Sequence, residues 1–145
     1  MLRGVFRKDS MTDIIDIHTH TIASMHAYST IREMAAAAKE KGLALIGISD
    51  HAPGLPGTFP EMYFRNFKVI RPAAYGIDII MGAELNIMNY EGKVDLPEKT
   101  LQKLHYAIAS LHDLTIRPGT QEENTRALLH AMENPYVVII GHPDN

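Results

Sequence analysis

The sequence predicts an α/β fold built on a parallel sheet, and three observations predict it. Five apolar runs, Ile14 to Ile17, Leu43 to Ile48, Ile77 to Ala83, Tyr106 to Leu111 and Val137 to Ile140, have the length and aliphatic content of strands buried on both faces. Helical patterns lie between them, and such alternation implies helical crossovers joining parallel strands. Every run leads into a side chain able to ligate a metal: His18 and His20, then Asp50 and His51, then Glu84, His112 and His142. Strand C-termini of a parallel barrel share one face, so these residues are expected to converge there.

Taken in order, the first run opens directly into Ile-x-His-x-His. His18 and His20 are two apart, so on an extended strand both imidazoles point the same way, about 7 Å apart at their Cα atoms, and can grip one ion. His26 follows in a loop and folds back over the same mouth, where it is read as serving a neighbouring ion. Thr30 to Lys41 is a helix: Thr30 and Glu33 form a capping box, Ile31, Met34, Ala35 and Ala38 share a stripe, and Gly42 ends it.

The second run ends in Asp50-His51 and passes into Ala52 to Pro60, where three prolines and two glycines predict a loop of the length that borders a site. Tyr63 to Ile70 is helical and is interrupted by Pro72. Pro97 to His105 starts with proline at the first helical position and carries Leu101 and Leu104 on its apolar side. Thr120 to Asn134 repeats the capping box with Glu123, places Ala127, Leu128, Ala131 and Met132 on the apolar face, and stops at Asn134-Pro135.

A chain of 145 residues with 46% hydrophobic and 21% charged residues suits one packed domain. Met11 offers an alternative start, so residues 1–13 are expected to be an extension and 14–145 the domain. No apolar run approaches the ~18 residues of a membrane helix, and Met1 to Thr12 lacks the apolar centre of a secretory signal. A cytoplasmic protein with no membrane partner is the expectation. The net charge of -3, without a Lys/Arg block, lacks the footprint of a nucleic-acid binder. Zero cysteines exclude disulfides and thiolate zinc sites, so any metal is held by His, Asp or Glu.

One histidine after a strand is ordinarily structural. Glu84 and the five imidazoles of His18, His20, His51, His112 and His142, six residues at five successive strand ends, have no such explanation, because burying them together costs several kcal/mol unless a cation pairs them. Asp16, Asp50 and Asp113 are candidates to orient a ligating imidazole, with turn or solvent roles as the alternative. Arg65 and Lys68 are read as a solvated face, the alternative being contact with an anionic substrate. His105 and His130 fall inside helical patterns and are read as structural, and the eight methionines as core filler.

Ile-x-His18-x-His20, His26-Ala-Tyr-Ser-Thr, Asp50-His51, Gly-x-Glu84, Leu-His112 and Gly-His142-Pro together resemble the PHP (polymerase and histidinol phosphatase) superfamily, most nearly its YcdX-type phosphatase branch. The resemblance runs from Asp16 to Pro143. It implies a distorted parallel (β/α)7 barrel with up to three divalent ions, commonly zinc, with manganese or iron admitted by the same ligands. It implies hydrolysis of small phosphomonoesters by a metal-bridging hydroxide. In that scheme His18 and His20 hold the first ion, Glu84 bridges the first and second, His112 and His142 complete the second, and His26 and His51 begin the third.

The late Asp-x-His of that family has no counterpart here. About five strands leave the barrel incomplete, with an open edge beside Val137 to Ile140. The expectation is a fragment of a longer protein, or a homo-oligomer that covers the edge. Histidinol-phosphate phosphatase and a non-catalytic metal-binding module stand as alternative functions.

Overall fold

The computed structural model describes residues 14–144, so the expected extension over residues 1–13 lies outside the described residues. Strands β1 (Ile15–Thr19), β2 (Leu45–Ile48), β3 (Asp78–Asn86), β4 (Tyr106–Ser110) and β5 (Val137–Ile140) alternate with helices α1 (Ile31–Glu40), α2 (Glu61–Arg65), α3 (Glu98–Leu101) and α4 (Gln121–Met132). The strands pair in sequence order, every pair is parallel, and the sheet curls into a half-barrel. This is the incomplete α/β barrel the sequence predicts.

Local chemistry sets the two long helices. Thr30 accepts from the Glu33 amide while the Glu33 carboxylate takes the Thr30 amide at 2.7 Å, and Thr120 and Glu123 repeat the exchange on α4. Both capping boxes read from the sequence are present, each satisfying amides the helix itself leaves free. Gly42, at φ +76°, supplies the left-handed residue that ends the first helix. On the inner faces sit alanines, Ala35 and Ala38 on α1 and Ala127 and Ala131 on α4, which let the helix backbones approach the sheet closely.

A side chain crosses the inside of the curl. The Tyr106 hydroxyl on β4 donates to the Ile17 carbonyl of β1 at 2.7 Å, passing over Gly47 of β2 and Gly82 of β3. A Cβ at Gly82 would lie 2.5 to 2.8 Å from the Tyr106 ring, so glycine is the residue that fits beneath it. The opposite face holds the main core, where Ile46, Ile48, Ile79, Met81, Phe64, Phe67, Leu96 and Leu101 pack together.

Four readings need correction. Of the five runs expected to be buried on both faces, β2, β3 and β4 are, whereas β1 and β5 are only partly covered. They are the outer strands of the described sheet, so one flank of each has no neighbour; Ile14 and Val138 are 61% and 65% exposed. The helix expected over Pro97 to His105 is a single turn, because Lys103 and Leu104 bond back three residues, to Thr100 and Leu101, and the chain tightens towards β4.

His105 therefore sits at the entrance to β4, outside any helix, where its Nδ1 and amide meet the Met81 backbone. Tyr63 to Ile70 divides into α2 and a 3-10 turn over Phe67–Val69, bent so that Phe64 and Phe67 both bury. No helix among the described residues is long and apolar enough to cross a membrane.

Candidate metal centre

The C-terminal ends of the strands deliver their side chains to one carboxylate. Glu84 lies inside β3 rather than after it, and is fully buried. Its Oε2 is 3.2 Å from His18 Nε2, 3.2 Å from His20 Nε2 and 3.1 Å from His51 Nδ1. Its Oε1 is 3.4 Å from His112 Nε2 and 3.0 Å from His142 Nε2, and accepts from the Ser110 hydroxyl at 2.6 Å. His18 belongs to β1 and His20 follows it, two residues on and turned the same way.

Backbone pairing carries His51 to the same place. The β2–β3 register continues past β2: Glu84 donates its amide to the Asp50 carbonyl at 3.1 Å, and the Ala52 amide donates to the Glu84 carbonyl at 2.9 Å. His112 and His142 lie two residues beyond β4 and β5. His142 takes φ of 25°, a value few side-chain-bearing residues adopt, which turns its ring back towards Glu84. His26 is exposed, with its ring 4.9 Å from that of His20 and 4.8 Å from that of His51.

Donor atoms group into three sets, each within 4.8 Å: His18, Glu84 and His142; His51, Glu84 and His112; His20, His26 and His51. The resemblance pairs His18 with His20 and His112 with His142; the first pair meets Oε2 of Glu84 and the second Oε1, while the three donor sets also run across these pairs. His142 stacks against His18 at 5.9 Å, while His20 turns towards His26 and His51.

Two imidazoles have their tautomers assigned by what lies behind them. His20 Nδ1 is 3.0 Å from Ser24 Oγ, whose only proton is drawn to Asp50 at 2.7 Å, so Nδ1 is the donor and Nε2 keeps its lone pair. Asp50 is fully buried and also accepts from the Thr21 amide, the Thr21 hydroxyl and the Tyr63 hydroxyl at 2.6 to 2.8 Å. Burial first, and then the charge of Asp50, pushes the Tyr63 phenol well up, so it stays a donor. The His51 amide donates to Ser24 Oγ as well, fixing the backbone next to Asp50.

On the other side, His112 Nδ1 meets the Asn86 amide oxygen at 2.7 Å. Asn86 is held in turn by Asp95, whose carboxylate accepts its backbone and side-chain N–H groups at 2.9 and 2.6 Å.

These lone pairs converge on a negative group. Burial raises the Glu84 carboxyl, and the Ser110 hydroxyl, together with a positive centre shared with the His112 and His20 nitrogens, outweighs it and holds it well below the usual carboxylate range. A ring nitrogen stabilises a carboxylate only with a positive centre between them, either a proton or a metal cation. Burial pushes His51 down to about 3, against the pull of Glu84 and with the help of His20, His112 and His26, so protonation does not serve there.

Among the described residues, His51 Nδ1, Glu84 Oε2 and His112 Nε2 are buried without a hydrogen-bond partner. Orphaned donors of nitrogen and oxygen type around one carboxylate are what a divalent cation satisfies, and the residues present fit one.

The supporting residues differ from those expected. Asp16 reaches only the His18 backbone amide, at 3.4 Å, and Asp113 lies exposed in a cleft of about 400 Å³ shared with Leu55, Leu111 and His112. Of the three aspartates only Asp50 acts on a ring, through Ser24. Ser24, Tyr63, Asn86, Asp95 and Ser110 escaped the sequence reading. Asn86 and Ser110 had a signal, since each is a polar residue at period two from a ligand-type residue within an apolar strand. Arg65 and Lys68 are exposed and line a groove with Lys103 and His105, at the N-terminal ends of β3 and β4. His130 lies on α4 beside Gly92.

Relatives share this chain's sequence closely. It is 51% identical over 131 residues to a probable phosphatase of Caldicellulosiruptor saccharolyticus, covering 90% of this chain and 55% of that protein. A probable phosphatase of Caldanaerobacter subterraneus is 54% identical over 133 residues, covering 91% and 52%. One from Clostridium novyi is 47% identical over 135 residues, covering 93% and 55%. The chain thus spans about half the length of the curated relatives it matches. The PHP domain model matches residues 16–142, a stretch that begins at Asp16 before the first histidines and ends on His142 of the carboxylate-centred cluster, and the chain belongs to the PHP domain family.

Proposed function

We propose that the chain serves a metal-dependent phosphoesterase that hydrolyses small phosphomonoesters, with zinc as the resident ion. One observation carries the reading. Glu84 is sealed from solvent, with one oxygen facing His18, His20 and His51 and the other facing His112 and His142, a disposition suited to a carboxylate shared between two cations. The names of the relatives, probable phosphatases, support the reaction class.

In this reading His18, His20, His26, His51, His112 and His142 offer neutral nitrogen donors, a set that suits zinc while admitting manganese or iron. Bound divalent ions supply Lewis acidity towards phosphoryl oxygens and lower the pKa of water towards neutrality. The chain's own part is to hold the donors in place. Glu84 provides the fixed negative charge, and Asp50 with Ser24, and Asp95 with Asn86, orient two of the rings. The cleft beside His112 gives the alcohol portion of a phosphomonoester room to lie against Leu55, Leu111 and Leu114.

A second reading has its own support in the two open sheet edges: a module that binds metal without turnover. Metal content by plasma mass spectrometry, combined with hydrolysis of p-nitrophenyl phosphate and histidinol phosphate, separates the two. The proposal expects at least two ions per chain and turnover that a chelator abolishes and zinc restores. Bound metal with no turnover selects the module, and a chain that takes up no divalent ion refutes both.

A further inference from the structure

We infer that Asn86, anchored by Asp95, is a positioning residue that fixes the tautomer of His112 and so aims its Nε2 lone pair into the cluster. Asn86 lies two residues beyond Glu84 on β3, on the same face of the strand, and is fully buried. Its amide nitrogen has two protons, and both are engaged: one goes to the Ala52 carbonyl at 3.0 Å, the other to Asp95 Oδ2 at 2.6 Å.

The amide oxygen is therefore what meets His112 Nδ1 at 2.7 Å, and that contact is a hydrogen bond only if Nδ1 carries the proton. Turning the amide over would set its oxygen against a carbonyl and a carboxylate at once. Asp95 forbids the flip, and is itself held by the Asn86 and Gly54 amides at 2.9 and 2.6 Å. A Cβ at Gly54 would lie 2.7 Å from Asp95 Oδ2 and 3.2 Å from Asn86 Nδ2, so the loop beginning at Ala52 closes on this pair only with glycine there.

The consequence falls on Nε2. With the proton committed to Nδ1, Nε2 is left as a buried lone pair without a hydrogen-bond partner, 3.4 Å from Glu84 Oε1, inside the His51, Glu84 and His112 donor set. An imidazole whose other nitrogen is so engaged is both aimed and more basic towards a cation. This inference rests on the proposal that the cluster holds divalent ions. Its primary readout, however, needs no metal.

The test uses the whole chain labelled with 15N-histidine. Long-range 1H–15N correlation at pH 8 on metal-free protein is expected to show His112 protonated at Nδ1. In Asn86→Leu that proton moves to Nε2, and zinc affinity, measured by competition with a chromophoric chelator, falls about 10- to 100-fold. Asp95→Asn shifts both readouts in the same direction by less, and stands in if Asn86→Leu does not fold. Neutral wild-type His112 carrying its proton on Nε2, or either variant binding zinc as tightly as wild type, overturns the inference. A wild-type chain that keeps the Nδ1 proton yet takes no zinc refutes the metal reading while leaving the role of Asn86 intact.

Discussion

His51 Nδ1 and Glu84 Oε2 lie 3.1 Å apart, both buried, and neither has a hydrogen-bond partner. The sheet enforces the contact, because the two residues are bridged through their backbones as β2 pairs with β3. Rotating either side chain would leave both groups buried, and a cation between them would satisfy both.

Replacing Glu84 by glutamine keeps the shape and removes the charge. The new carboxamide would bring protons to face nitrogen lone pairs, and two cations near it would lose the anion between them. We expect Glu84→Gln to retain at least one ion fewer per chain than wild type, by plasma mass spectrometry, and phosphomonoester turnover to drop by more than about 100-fold, beyond the usual cost of losing a supporting residue. Unchanged metal content would rule out the shared-carboxylate role.

Acid sensitivity of the metal-free chain follows from the sign of the His51 shift. Its folded value, about 3, lies below the unfolded value near 6.5, so below pH 6.5 the unfolded chain takes up a proton that the folded chain refuses. Stability is complete above pH 6.5 and drains away as pH falls towards 3. Glu84, also held below its ordinary value, adds its loss only below about pH 4.3, so between pH 6.5 and 4.5 the comparison with a His51 variant reads the His51 contribution while the groups common to both proteins cancel. We expect urea unfolding to show wild type losing about 1 to 2 kcal/mol more than His51→Asn across that window, after allowance for solvent screening. Equal slopes for the two proteins would contradict it.

How much could be read in advance depends on where the information resides. Thr30 with Glu33, and Thr120 with Glu123, act within one turn, so those helix starts were legible from four letters each. Gathering at the strand ends was legible too, since parallel pairing fixes which end of each run faces its neighbours. Burial of β1 and β5 was not, because an apolar run does not record how many strands flank it. Asp95 gave no sign either: it reaches Asn86 only after the chain reverses between Asn89 and Gly92, a through-space contact with no period.

The Tyr106 crossing tests the curl of the sheet. At Gly82 the three atoms nearest an added Cβ all belong to the Tyr106 ring, at 2.5 to 2.8 Å. Gly82→Ala is expected to cost about 1 to 3 kcal/mol as overpacking. With Tyr106→Leu in the background the same substitution should become cheaper, and a double-mutant cycle by thermal or urea unfolding measures the coupling. Additive effects would mean the ring does not lie over Gly82.

Val138 bears on assembly. It is 65% exposed at the centre of β5, which presents an unpaired edge, and Ile14 and Ile15 at β1 are exposed in the same way on the other flank. Unpaired amides and carbonyls beside apolar side chains are a template for another strand, and a charge on such an edge blocks that pairing at little cost to the fold. We expect the wild-type chain to self-associate in light scattering and Val138→Lys to shift it towards monomer, with an unchanged far-ultraviolet circular dichroism spectrum. A wild-type chain that stays a single monomeric species as its concentration rises, without binding an apolar dye, would show that these edges are tolerated bare.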